Sequence, residues 1–138
     1  MNRFVRLVVA ATLVVATGSA GLVSPSSAAR PQEIFPTKNS TYEGGETDNY
    51  GVAASVKIKI AADNHVAKRV KLKMTCADGT FKKTLKNYEI LHSVVFEMTD
   101  EFEVRGEWQN KRTLDVMFTT SSASKACPGE YFEFTASK

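Results

Sequence analysis

The feature that most constrains this chain is an alternation of apolar and polar residues at period two, repeated from about residue 41 to the C-terminus. Val56, Ile58 and Ile60 alternate with Lys57 and Lys59, and Val70, Leu72, Met74 and Cys76 alternate with Lys71, Lys73 and Thr75. The same pattern returns in Val94, Phe96 and Met98, in Phe102, Val104, Gly106 and Trp108, in Leu114, Val116 and Phe118, and in Phe132, Phe134 and Ala136. Successive side chains of an extended strand point to opposite faces, so each set marks a strand with one face in a core and the other in water.

Turn formers separate the segments, among them Asp63-Asn64-His65, Ala77-Asp78-Gly79, Gln109-Asn110-Lys111 and Cys127-Pro128-Gly129. Thr41-Tyr42-Glu43 reads as a first strand ended by Gly44-Gly45, and weaker strands fall near Phe81 and Tyr88–Leu91. No stretch carries a helical period. The pattern predicts an all-β, antiparallel β-sandwich of about 7–8 strands, immunoglobulin-like in layout, with Trp108 and the phenylalanines as core fillers between two sheets.

The first 29 residues do not share this pattern. Arg3 and Arg6 form a positive n-region, Val5–Ala20 is almost wholly apolar, and small residues follow up to Ala29. This is the build of a secretory signal peptide over residues 1–29, with Ser27 and Ala29 placed for cleavage before Arg30. The run is shorter than the roughly 20 residues a membrane span needs, so no transmembrane segment is expected once the peptide is removed. Residues 30–40 read as an extended N-terminal arm and 41–138 as the sandwich domain. The expected location is secreted, extracellular.

Cys76 and Cys127 are the chain's only cysteines. An even pair in an exported protein predicts one disulfide. Neither lies in a C-x-x-C pair or beside a histidine, so neither reads as a metal ligand or a nucleophile.

Charge excludes one class of partner. The precursor's formal charge is +3, and losing Arg3 and Arg6 leaves about +1, which is no nucleic-acid footprint. The distribution is uneven, however. From Gly51 to Ser93 there are nine Lys or Arg against three acids, and from Val94 onward five against eight. Lys57, Lys59, Lys71 and Lys73 point outward on two strands expected to be hairpin neighbours, and Lys82, Lys83 and Lys86 follow. Like charges opposite one another repel, so Glu97, Glu103 and Glu107 are expected to interleave if their strands lie adjacent. Without such interleaving, the four lysines form a candidate surface for an anionic partner: a cell-envelope polymer, a lipid headgroup or an acidic protein.

Catalysis has little to stand on. The two histidines, His65 and His92, sit in a turn and beside a strand start, with no Gly-x-Ser-x-Gly elbow. Asp63 beside His65 offers too few ligands for a metal cage, and Glu101 and Glu103 read as solvated acids. No catalytic residue, metal or cofactor is expected. Tyr42, Tyr50, Tyr88 and Tyr131 fall near expected loops or edges, where tyrosine can stack on sugars or anchor an interface.

The order of short motifs resembles a broad group of small exported proteins, mostly actinobacterial. The motifs are Tyr42-Glu43-Gly44, Cys76-Ala77-Asp78-Gly79, Phe102 with Val104-Arg105-Gly106-Glu107-Trp108, and Cys127-Pro128-Gly129 before Phe134-Thr135-Ala136. The resemblance implies a β-sandwich with the cysteines bridged and carries no activity. The expected role is a non-enzymatic binding or interaction domain that engages a cell-envelope polymer or another protein. The alternative is an inhibitor of a secreted enzyme that presents the 121–127 loop.

Overall fold

The computed structural model describes Gln32–Lys138, and the signal peptide expected over residues 1–29 lies outside the described residues. The strands are β1 (Thr41–Thr47), β2 (Ala53–Ile60), β3 (Val66–Cys76), β4 (Gly79–Glu89), β5 (Val94–Met98), β6 (Phe102–Trp108), β7 (Thr113–Thr120) and β8 (Tyr131–Ser137). All eight pair antiparallel in one sheet, in the order β4-β3-β2-β1-β8-β7-β6-β5.

That order is two four-stranded meanders joined where β1 lies beside β8. Every strand is hydrogen-bonded to its neighbour in sequence except β4 to β5, which form the two edges. The sheet is therefore nearly closed and barrel-like, with a single seam. The alternation predicts two packed sheets, yet the hydrogen bonding marks no boundary between layers. The order has one pair of neighbours far apart in sequence, β1 and β8, and does not divide the strands into the two sheets that an immunoglobulin-like layout has. The reason for the difference is simple. Period two reports that one face of each strand is buried, which a sandwich and a barrel satisfy equally.

Three further expectations change. The first strand does not stop at Gly44-Gly45 but runs through them to Thr47. A Cβ on Gly44 would lie 2.6 Å from the Ala136 Cα and from the Thr135 carbonyl oxygen, so β1 meets β8 only because that side chain is missing. The weak segments near Phe81 and Tyr88 are parts of one eleven-residue strand, β4. In β5 the phase is opposite to the one read from Val94, Phe96 and Met98. Val95 pairs with Gly106 and faces inward, while Phe96 and Met98 are exposed.

The interior is filled by side chains, as eight strands allow. Toward one end Tyr42 and Trp108 meet edge to face, with centroids 5.8 Å apart. Toward the other, Phe81 packs on Phe102 and Phe118 at 5.4 and 5.9 Å. Trp108, Phe102, Phe118 and Phe132 are core residues, as expected, and so is Tyr42, which the sequence places near an edge. Its phenol donates to the Lys111 carbonyl at 2.6 Å and accepts from the Thr37 amide at 3.0 Å.

Those bonds also hold the N-terminal arm, which crosses the Trp108 end of the barrel. The Ile34 amide donates to Ser93 Oγ at 2.6 Å, and the Asn39 amide to the Ala61 carbonyl at 3.0 Å. At the opposite end the Cys76–Cys127 disulfide joins the end of β3 to the β7–β8 loop, with Cα atoms 5.6 Å apart.

Candidate functional site

The outward faces of β2, β3 and β4 form the most highly charged surface described. Their inward residues, Val56, Ile58, Ile60, Val70, Leu72 and Met74, are core, so every alternate residue must face solvent. The register then fixes which cations become neighbours. Lys57 lies opposite Lys71, Lys59 opposite Arg69, and Ser55 opposite Lys73. Across the next ladder Arg69 faces Lys86, Lys73 faces Lys82, and Lys71 faces Thr84. All seven cations are exposed. Lys68, in the bulge between the Ile60–Ala67 and Lys59–Arg69 pairs, adds another at the rim.

The four lysines singled out from the sequence thus share one surface. Arg69, Lys82 and Lys86 join them. Arg69 was hidden by the bulge, which breaks the alternation at Ala67-Lys68-Arg69. Lys82 and Lys86 follow the four in sequence, but their face is not legible because β4, an edge strand, is exposed along most of its length and shows almost no apolar period.

The expected acidic partners are elsewhere. Glu97 faces the seam, where the Tyr88 phenol donates to its carboxylate. Glu107 pairs with Arg105 at 3.1 Å on β6, and Glu103 lies on the same strand. The acid that does reach the cations is Glu43 of β1, in contact with the Lys57 ammonium. Among the described residues Glu43 is the one carboxylate in ion-pair contact with these seven cations, and the single acid on β2–β4 themselves is Glu89, at the far end of β4. Neighbouring strands lie about 4.8 Å apart and alternate residues along a strand about 6.7 Å, so the charges form a lattice with those two spacings. Directly opposed like charges each cost a few tenths of a kcal/mol or more.

None of the large exposed apolar residues, Tyr50, Leu91, Phe96, Met98 and Tyr131, lies on β2–β4. The face can hold a partner by charge and hydrogen bonding but offers no apolar anchor. Beside it runs an open groove of about 560 Å³, lined by Gly44, Gly45 and Ser55, by Lys57, Lys71 and Lys73, and by Glu43. The opposite side of the barrel has the contrary sign, with Glu107, Asp115 and Glu133 around a second open groove.

The other candidates do not assemble. Tyr42 is in the core, Tyr88 at the seam, Tyr50 in the β1–β2 turn and Tyr131 at the start of β8, so the tyrosines form no cluster. Burial pushes the Tyr88 phenol up to about 12, and the hydrogen bond to Glu97 and its charge act in the same direction. The Tyr131 phenol is raised as well, first by its hydrogen bond to Glu133.

The histidines serve the arm. His92 Nδ1 lies 2.7 Å from Glu33 Oε1, and the His65 ring 4.2 Å from Phe35. Among the described residues no three His, Cys, Asp or Glu converge as a metal site would require. The 121–127 loop is folded back on the barrel. Its Ser121 amide donates to the Glu101 carbonyl at 2.9 Å, the Ser124 amide to the Ser121 carbonyl at 3.1 Å, and Ser124 and Cys127 are buried.

Comparison with protein-family models, with curated proteins and with solved structures returned no match.

Proposed function

We propose that this protein is an exported, non-enzymatic binding module that docks on an anionic polymer of the cell envelope through the outward face of β2–β4. The observation that carries this reading is the lattice itself: Lys57, Lys59, Arg69, Lys71, Lys73, Lys82 and Lys86 in ladder register, with Glu43 of β1 paired to Lys57 and Glu89 at the end of β4 the acids beside them. A surface that opposes like charges in this way loses stability in the free protein and recovers it when an anionic partner supplies the missing counter-charges. The absence of exposed apolar anchors on these strands favours a hydrated, charged partner over an apolar protein face. The disulfide accords with an oxidising compartment. Kinship with the small exported proteins that the motif order resembles is part of the same proposal.

The test is co-sedimentation of the domain from residue 30 onward with purified bacterial cell envelopes, at low and at high salt. The proposal expects binding at low salt that is lost at high salt and lost when Lys57, Lys59, Lys71 and Lys73 are all changed to Gln. Salt-independent binding, or full binding by the four-site variant, refutes it. Absence of binding at either salt refutes it too and moves the search to protein partners in the culture medium.

A further inference from the structure

We infer that the polymer is a polyol-phosphate chain, a linear phosphodiester, lying along β3 with one phosphate at every second strand residue. This rests on the proposed docking face and narrows it to one chemistry.

The inference comes from the shape of the lattice. Its central column, Arg69, Lys71 and Lys73, is the one column flanked by cations on both sides, Lys57 and Lys59 from β2 and Lys82 and Lys86 from β4. A chain laid over β3 is therefore gripped from both flanks, whereas one laid over β2 or β4 is gripped from a single flank. Along the column the charges recur every two residues. Two residues of extended polypeptide contain six backbone bonds and span about 6.7 Å.

Phosphates joined through a three-carbon polyol are also separated by six bonds, P–O–C–C–C–O–P, and an extended chain of that length spans about the same distance. The two repeats are commensurate, so successive phosphates meet successive rows. One phosphate would meet Lys59, Arg69 and Lys86, the next Lys57 and Lys71, the next Lys73 and Lys82. The groove over Gly44, Gly45 and Ser55 leaves room beside the column for uncharged substituents on the polyol.

Two other polyanions are disfavoured by features of this face. A polyuronate sets its carboxylates through rigid sugar rings on alternate sides, out of step with rows two residues apart. A single-stranded nucleic acid shares the six-bond repeat, but its binding sites use aromatic side chains on which bases stack. The large exposed aromatics lie off β2–β4.

The experiment is a titration of the domain with fluorescently labelled synthetic glycerol-phosphate oligomers of one to eight repeats. A polyuronate and an oligothymidylate of matched charge number run in parallel. The expected result is affinity that rises steeply up to three or four repeats and then levels. The salt slope should be near −2, as about three neutralised phosphates of a single-stranded chain give. Arg69→Gln and Lys71→Gln should each lose about tenfold, and Lys111→Gln, off the face, should lose nothing. Unfolding followed through Trp108 fluorescence checks that each variant is folded.

Equal affinity for the polyuronate overturns the phosphodiester inference while leaving the docking face in place. Equal affinity for the oligothymidylate overturns the polyol assignment in favour of a nucleic acid. Failure of all three polyanions overturns both the inference and the proposed function.

Discussion

The charged lattice makes an unusual prediction: removing one of its lysines should stabilise the free protein while weakening binding. Lys71 is the residue to change, because it sits at the centre of the face, opposite Lys57 and between Arg69 and Lys73 along β3. At about 5 Å in water two unit charges repel by roughly 0.8 kcal/mol. A Debye length of about 8 Å at physiological salt reduces that to about 0.4 kcal/mol. Arg69 and Lys73, about 6.7 Å away, add roughly 0.25 kcal/mol each on the same basis. Flexible side chains splay apart and Glu43, paired with Lys57, offsets part of that repulsion, so Lys71→Gln should stabilise the domain by about 0.5 kcal/mol. For a domain of this size that raises Tm by about 2–4 °C. Gln keeps most of the aliphatic stem, so packing changes little.

The assay is thermal unfolding followed through Trp108, the chain's single tryptophan and fully buried, at low salt, at 0.15 M and at 1 M. At about 1 M the Debye length falls to about 3 Å and the gain should nearly vanish. A variant that is less stable than the parent refutes the reasoning. So does a gain that is indifferent to salt, because either result means the cations do not repel one another across the ladder.

Three other perturbations follow from the fold. Replacing Cys76 and Cys127 by Ala should cost on the order of 4 kcal/mol, the loop-closure entropy of a bridge spanning 51 positions, measured by denaturant unfolding; loss of under 1 kcal/mol contradicts it. Gly44→Ala drives a Cβ into the β8 backbone at 2.6 Å, whereas Gly106→Ala meets the Leu114 and Val95 side chains at 2.7 and 3.0 Å. Side chains can yield, so Gly106→Ala should cost about 1–3 kcal/mol and Gly44→Ala more than that; the reverse order in unfolding midpoints refutes the account of the β1–β8 junction. Burial first, then the hydrogen bond to Glu97 and its charge, raise the Tyr88 phenol from 10.0 to about 12, so the stability linked to its protonated form is full below pH 10 and is lost as pH climbs toward 12. Discounted for solvent screening this is worth about 1 kcal/mol. Between pH 10 and 12 the parent should lose that much more stability than Tyr88→Phe, and parallel curves for the two contradict it.

Much of the fold is legible in the sequence wherever a strand has one buried and one wet face. The inward sets of β2, β3, β6 and β7 follow directly from the alternation, and the disulfide from a single pair of cysteines in a chain expected to be exported. What is not legible depends on which strands become neighbours. The pairing of Glu43 with Ser137 closes the sheet between the first and last strands, and no local pattern encodes it. The β5 phase is lost because Val95 and Glu97 face inward at an edge, so that outward Phe96 and Met98 carry the stronger apolar signal. The charged face is half legible. Four lysines could be placed on one side of a hairpin, but the location of the acids that would neutralise them depends on sheet order. That order puts Glu103 and Glu107 across the barrel.

The lysines of this face have two physical explanations, and the topology separates them. An exposed strand edge is a template for unwanted pairing, and proteins blunt such edges with lysine and with charges turned inward. β4 and β5 are the two edges here. Lys82 and Lys86 on the outside of β4, Lys83 with its ammonium over the Phe102 ring, and Glu97 facing the seam all fit that purpose. Edge protection stops there, however. β2 and β3 are internal strands with both ladders filled, and a cation on their outward face guards nothing. Lys57, Lys59, Arg69, Lys71 and Lys73 therefore carry a repulsive cost that edge protection does not explain. Solubility would be served as well by mixed charges, which would cost less. On the reading proposed above, a partner that brings anions to the β2–β3 surface accounts for these five residues.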